Sequence, residues 1–358
     1  MKKKLMYVVE AMGGGVFTYV VDLLNELIEE YDIYLAYAVR PQTPTDYISY
    51  FDSRINLIEV KNFIREINPI KDFKAMLEIK KLVNQIKPDI IHLHSSKAGV
   101  IGRFLFDGNK IPVFYTPHGY SFLMADCNQI KRWIYKLIEK FSSLRNTITI
   151  SCSVGEHMET LKLTNKAEYV NNGINISNLE NLIQNIKLIE HDFTVFTLGR
   201  ICYQKNPKLF NDIALSMPNI KFIWIGDGDL KNELTAQNIE ITGWLDRNSA
   251  LKKAINCDVF MLTSLWEGLP ISLLEAMYMK KICIVSDVIG NHDVITNEVN
   301  GYVCNKSIDF VDAINCIISN SKKNNDLIIN NMYHDIINTY NTKVMAQSYS
   351  SIYKKYLK

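Results

Sequence analysis

Residues 262–277 read LTSLWEGLPISLLEAM and join an apolar run to the opening of a helix through a Gly-Leu-Pro turn. The run itself, Asp258–Leu262 (DVFML), has the continuous apolar character of a short buried parallel strand. Pro270 then falls where the first helical turn tolerates proline, and Ile271, Leu274 and Met277 repeat at helical spacing on one side. Glu267 is thereby left in the loop just before a helix N-terminus, and Glu275 inside the helix. A helix N-terminus presents unpaired N–H groups and the positive end of a dipole, so a phosphate or sugar hydroxyl can rest on the backbone around Gly268, Leu269 and Pro270. Glu267 is placed to accept hydrogen bonds from further hydroxyls, and Glu275 from the two hydroxyls of a ribose. An isolated glutamate is usually a solvated surface group. The strand before this pair, the Gly and Pro between its members, and the flanking Ser264 and Trp266 favour a ligand site instead.

Working outward, strand-like and helix-like runs alternate along the whole chain. KLMYVVE leads into a helical Val16–Glu30, DIIHLH and PVFYTPH flank one crossover, and FTVFTLG opens the second half. That alternation is the pattern of a doubly wound parallel sheet, and 358 residues suit two domains of similar size. An apolar share of 47% and a charged share of 22% describe a soluble globular protein rather than a disordered one. The net charge of +2 is not concentrated in either half, so nucleic acid is not an expected partner. Seven cysteines, at 127, 152, 202, 257, 283, 304 and 316, include no C-x-x-C pair, which predicts reduced thiols and a cytoplasmic location rather than disulfides or zinc. Lys2–Lys4 followed by LMYVV reads as a first strand and not a signal peptide, because Glu10 and the glycines cut the apolar run short. No stretch reaches the ~18 apolar residues of a membrane span, so any membrane contact is expected to be peripheral.

Several strand ends carry candidate ligand groups. Gly13, Gly14 and Gly15 separate the first strand from a helix that buries Phe17, Val20, Val21, Leu24, Leu27 and Ile28; glycines let backbone approach a ligand, and they equally make a tight turn. The spacing is not G-x-G-x-x-G, so no dinucleotide fingerprint is present. His92 and His94 project to one face of their strand without a third ligand at metal spacing. Ser95, Ser96 and Lys97 at the following helix start either hold an anionic group or form an N-cap beside a surface lysine. In the second half, Gly199-Arg200-x4-Lys205-Asn206 puts two cations on one loop, where they are either solvated or stabilise the charge developing on a diphosphate leaving group. Phe222–Gly228 is a further strand ending in glycines, Gly226 among them. Lys131, Arg132, Lys136, Lys140 and Arg145 interleave with Trp133, Ile134, Tyr135, Leu137, Ile138 and Phe141. Such a helix is either core on one side and solvated on the other, or rests on an anionic membrane surface.

Glu267-x7-Glu275 with Gly268-Leu269-Pro270, and Gly199-Arg200-x4-Lys205-Asn206, resemble the donor-site motifs of retaining glycosyltransferases of the GT-B fold, family 4. Asn172-Gly173-Ile174-Asn175 resembles the family's crossover segment, with Asn175 in place of the usual Asp. The resemblance implies an α/β protein of two Rossmann-like domains facing across a cleft, here residues 1–175 on the acceptor side and 176–341 on the nucleotide-sugar side, with a last helix, 342–358, crossing back to the first. It implies transfer of a sugar from a nucleotide diphosphate, a UDP-sugar being favoured, with no cofactor and no metal. Arg200 and Lys205 would grip the phosphates, Gly13, Gly14 and Gly15 would face them, and Glu267 and His118 would hold the donor sugar. Glu275 would hold the ribose, and Gly226, Trp244 and Leu245 would lie by the nucleotide. The runs HSSKAG, containing His94 to Lys97, and HGYSF, beginning at His118, resemble enzymes of bacterial surface polysaccharide synthesis, which implies a lipid-linked glycan acceptor. A nucleotide-sugar epimerase of the same fold, and a non-catalytic sugar-nucleotide-binding subunit of an assembly complex, remain alternatives.

Overall fold

The computed structural model describes residues 2–40, 43–64, 68–125 and 127–357. The chain divides into two units, one of residues 1–123, 127–172 and 342–358, the other of 124–126 and 173–341. The first unit contains β1 (Lys3–Met12), α1 (Gly14–Leu27), β2 (Tyr31–Val39), β3 (Asn56–Glu59), α2 (Pro69–Ile86), β4 (Ile90–His94), α3 (Ser96–Leu105), β5 (Val113–Thr116), α4 (Gln129–Ser143), β6 (Ile148–Ser151), α5 (Val154–Leu161) and β7 (Ala167–Tyr169). The second contains α6 (Ile176–Ile183), β8 (Thr194–Leu198), α7 (Pro207–Ser216), β9 (Lys221–Ile225), β10 (Ile239–Ile241), α8 (Arg247–Ile255), β11 (Val259–Leu262), α9 (Ile271–Tyr278), β12 (Ile282–Ser286), β13 (Tyr302–Cys304), α10 (Ser307–Ser319) and α11 (Lys322–Asn338). The last helix, α12 (Thr342–Tyr356), belongs to the first unit.

The two sheets are wholly parallel, in the orders β3-β2-β1-β4-β5-β6-β7 and β10-β9-β8-β11-β12-β13. A parallel sheet is covered on both faces, so its strands read as continuous apolar runs rather than alternating ones. In β1, Leu5, Tyr7 and Val9 point into a core closed by α1 and α12, while Met6 and Val8 point into a second core closed by α2 and α3. Each sheet reverses direction once, between β1 and β4 in the first unit and between β8 and β11 in the second. Ligands of open α/β sheets collect at the carboxyl ends of the strands beside such a reversal.

Two elements, α1 and α4, depart from the sequence expectation. The helix expected from Val16 starts at Gly14, so two of the three glycines form its first turn, and Gly14 takes φ +55° there. α12 packs on the first core through Met345, Ala346, Tyr349 and Tyr353, with Ile352 and Tyr356 partly buried against it. Its tyrosines reach partners inside the sheet: Tyr353 Oη lies 2.7 Å from Tyr7 Oη and 2.5 Å from His92 Nδ1, and Tyr19 Oη donates to Tyr349 Oη at 2.6 Å. In α4 the apolar side faces solvent, the reverse of a helix that buries its apolar stripe.

Tyr353→Phe should lower the stability of the first unit by about 2–4 kcal/mol, because it strands two buried polar groups without a partner. Lys354→Gln, which breaks only an exposed pair with Glu30, should cost under about 1 kcal/mol. Denaturant unfolding of both variants checks this; equal losses would contradict it.

Candidate functional site

In the second unit the loops after β8 and β11 lie side by side at the sheet reversal and are tied together by named contacts. Leu265 N donates to the Gln204 carbonyl at 2.8 Å, and Thr263 Oγ1 to the Lys205 carbonyl at 2.8 Å. The side chains complete the join. Lys205 Nζ sits 2.7 Å from Glu267 Oε1, Ser264 Oγ donates to the same oxygen at 2.6 Å, and Gln204 Nε2 donates to Glu267 Oε2 at 3.3 Å. Both members of the ion pair are largely buried, where an opposite charge is worth far more than in water. Arg200, on the same loop as Lys205 and half-buried, forms no ion pair with the described residues, so a cation stands ready at the carboxyl end of β8.

Helix α9 is buried nearly all round, not on one side only: Ile271, Leu273, Leu274, Glu275, Ala276, Met277 and Tyr278 are all inside. The one-sided spacing expected for it is overridden because the sheet covers one flank and α11 another. Pro270 is the N-cap, with φ −76°, one residue before the helical position expected. Glu275 is therefore an interior carboxylate, and Arg247, the first residue of α8, meets its Oε1 at 2.6 Å. Nothing in the sequence around position 247 pointed to this partner, since 27 residues and a strand intervene.

Close packing shapes the same loops. A Cβ on Gly226 would overlap the Gly199 carbonyl oxygen, and the two residues have φ of +144° and +145°. Trp224 Nε1 holds that same carbonyl at 2.9 Å. Gly290, with φ +85°, packs so tightly on the Gly268 carbonyl that a side chain would collide with it. Ser286 Oγ donates to the Ser264 carbonyl at 2.5 Å, and Asn291 Nδ2 to the Ser286 carbonyl at 3.1 Å. Gly290, Ser286 and Asn291 thus brace the Glu267 loop from the end of β12. Trp244 and Leu245 follow the edge strand β10, with Trp244 62% exposed, and no hydrogen bond among the described residues joins either to Glu267, Lys205 or Glu275.

In the first unit, His94 and His118 meet at the reversal between β1 and β4, with His94 Nδ1 2.9 Å from His118 Nε2. The ring of Tyr19 stands edge-on to His118 at 4.6 Å. His118 follows β5 by two residues and takes φ +56°, a strained backbone for a non-glycine residue. His92 spends one ring nitrogen on Tyr353 and the other on Thr116 Oγ1, at 2.9 Å. It is therefore a satisfied interior group, and no cluster of three or more His, Cys, Asp or Glu among the described residues could hold a metal ion. Lys97 is not a surface lysine: its ammonium pairs with Asp72 at 2.6 Å and donates to the Ile64 carbonyl. Ser95 precedes α3 with φ +72° and caps nothing with its side chain, while Ser96 Oγ lies 3.0 Å from Ser121 Oγ. The Gly13–Gly15 segment lies at the end of β1, with Gly13 extended as the N-cap of α1.

Burial pushes His92 and His94 well below the usual histidine range and His118 down to about 3. All three are neutral at physiological pH. The unfolded chain protonates them near 6.5, so the unfolded state binds more protons below that value, and native stability is lost as pH falls from about 6.5 toward the folded values. Each histidine held neutral by burial adds to that loss. Denaturant unfolding at pH 7 and pH 5 should show this drop in the first unit and a smaller one in His92→Gln/His94→Gln; pH-independent stability would contradict it.

Residues 13–178 match the Glycosyltransferase Family 4 profile and residues 179–333 match Glycosyl transferases group 1. Over 339 residues, 85% of each chain, the protein is 30% identical to the UDP-Gal:alpha-D-GlcNAc-diphosphoundecaprenol alpha-1,3-galactosyltransferase of Escherichia coli. It is 24% identical to the N,N'-diacetylbacillosaminyl-diphospho-undecaprenol alpha-1,3-N-acetylgalactosaminyltransferase of Campylobacter jejuni, covering 82% of this chain and 84% of that one. Among solved structures, sucrose-phosphate synthase of Thermosynechococcus elongatus superimposes with a TM-score of 0.83 at 15% identity over 99% of both chains. HepE of Anabaena, solved with UDP and glucose, superimposes with a TM-score of 0.79 at 14% identity, over 99% of this chain and 100% of that one. The protein belongs to glycosyltransferase family 4 and has the GT-B fold. It is a glycosyltransferase that acts on nucleotide sugars.

Proposed function

We propose that the protein transfers a sugar from a UDP-sugar, with net retention and without a metal ion, to a lipid-linked glycan on the way to a bacterial surface polysaccharide. The observation that carries this reading is the Lys205–Glu267 pair at the sheet reversal, beside Arg200 and the N-terminus of α9. Arg200, Lys205 and the N–H groups that follow Gly268 supply positive charge for a departing diphosphate. Glu267, already fixed by three donors, accepts from a sugar hydroxyl, and His118, neutral and so able both to accept and to donate, serves as a sugar-binding group of the first unit. Glu275 takes the ribose hydroxyls, its carboxylate oriented by Arg247. Gly13, Gly14 and Gly15 approach the diphosphate, and Gly199, Gly226, Trp244 and Leu245 serve the nucleotide through backbone and surface. His94, Ser95 and Ser96 border the acceptor, with Lys97 in support through Asp72. The names of the Escherichia coli and Campylobacter jejuni relatives support the lipid-linked acceptor, and the first of them supports UDP.

In the reaction the bond from the anomeric carbon to the diphosphate oxygen breaks and a bond to the acceptor oxygen forms on the same face. The acceptor proton passes to the leaving diphosphate, so no pair of carboxylates spaced as in a glycosidase is required. Turnover should persist in EDTA, and Glu267→Ala should lower kcat roughly 10²–10³-fold while changing the donor KM little. NMR of the product should show the donor's anomeric configuration. Loss of activity in EDTA that Mn²⁺ restores, or an inverted product, would overturn the mechanism.

A further inference from the structure

The contact between His94 and His118 decides which nitrogen of the second ring carries the proton. His94 ends β4, is 0% exposed, and stacks on Tyr7 with ring centres 4.6 Å apart. Its Nδ1 lies 2.9 Å from His118 Nε2, and its Nε2 is buried with no hydrogen-bond partner among the described residues. The neighbouring His92 cannot serve it, because both of its ring nitrogens are spent on Tyr353 and Thr116. His118 is placed differently: it is partly exposed, and no hydrogen bond among the described residues occupies its Nδ1. Its backbone is held where it is. Gly119 N donates to Glu156 Oε1 at 2.7 Å, Cys152 N donates to the other oxygen of that buried carboxylate at 2.8 Å, and the Tyr19 ring stands edge-on against the imidazole.

Two neutral imidazoles that share one hydrogen bond divide its roles, one ring giving an N–H and the other a lone pair. If His118 gave the proton, His94 would carry its own on Nε2, a buried N–H with no acceptor. If His94 gives it, the nitrogen left over is a bare lone pair, which is the lesser penalty, since orphaned buried N–H groups are the rarer of the two in folded proteins. The hydrogen bond made by one ring nitrogen sets the protonation of the other, so the proton of His118 then sits on Nδ1, the nitrogen that no other side chain occupies. We infer that His94 is a positioning residue: it donates from Nδ1 to His118 Nε2 and thereby fixes His118 as a hydrogen-bond donor toward an oxygen of the donor sugar. A donor at this place favours a sugar bearing a hydroxyl, ether or carbonyl oxygen there and disfavours one bearing an ammonium group. The step from tautomer to sugar rests on the reading of His118 as a sugar-binding group, and the tautomer itself does not.

The test is a long-range ¹H–¹⁵N correlation spectrum of the full-length protein labelled with ¹⁵N-histidine, at neutral pH and without nucleotide, the seven histidines being assigned by single substitution. Wild type should show His94 and His118 each with the proton on Nδ1 and a bare Nε2. His94→Asn, whose amide nitrogen replaces Nδ1 as a donor, should leave His118 in that form. His94→Phe keeps a ring but removes the donor, and should shift the His118 proton toward Nε2. With the UDP-sugar that wild type turns over, His94→Phe should lower kcat/KM about tenfold, as for the loss of one oriented hydrogen bond. His94→Asn should restore most of that loss, and affinity for UDP, which carries no sugar, should be unchanged in both. A wild-type His118 protonated on Nε2, or a His118 ring unaltered by His94→Phe, would overturn the inference, as would His94→Phe turnover equal to wild type. Because the spectrum is recorded without nucleotide, it is decided separately from the transferase reading, whose own failure would appear as no turnover by wild type.

Discussion

The loops after β8 and β11 depend on the carboxylate of Glu267, whose two oxygens are held by Lys205, Ser264 and Gln204. A buried ion pair adds little net stability once desolvation is counted, but removing one partner strands the other at a cost of about 3–5 kcal/mol. The pair therefore locks the loops after β8 and β11 to each other, and its value is positional. Ser286, Gly290 and Asn291 hold the second loop from behind, and Trp224 and Gly226 hold the first. Charged groups fixed before the reaction starts need no reorganisation when charge develops, which is where such arrangements derive their catalytic effect.

The first unit relies on a different constraint, a set of polar rings kept neutral by burial. His92, His94, His118 and the tyrosines 7, 19, 349 and 353 fill the core beneath the reversal between β1 and β4. Two of these tyrosines come from α12, so the end of the chain completes a core begun by its first strand. The contact of Tyr19 with both Tyr349 and His118 links that helix to the histidine whose backbone is strained.

Much of this was legible in the sequence, for identifiable reasons. Continuous apolar runs such as DVFML and DIIHL announce strands covered on both faces. The pairing of Lys205 with Glu267 was not legible, nor was that of Arg247 with Glu275, because sequence separation carries no information about which strand ends become neighbours. The outward face of α4 was hidden for a related reason. Its orientation is decided by Arg103 and Tyr115, which lie on other elements and hold its buried Glu139, and hydrophobic periodicity alone reports that a stripe exists without saying which way it points. The burial of Lys97 was hidden similarly, since Asp72, which takes it out of solvent, stands 25 residues away.

The central claim is that Glu275 and the loops around Glu267 form a nucleotide-sugar site. Calorimetric titration of the purified protein with UDP, GDP, ADP and their common sugar conjugates, in EDTA and beside Glu275→Ala, addresses it directly. The account predicts selective binding of uridine nucleotides that the variant loses by about tenfold or more, as expected when a charge-assisted pair of hydrogen bonds to a ribose is removed. Absence of binding by every nucleotide, or equal binding by the Glu275→Ala variant, would contradict it.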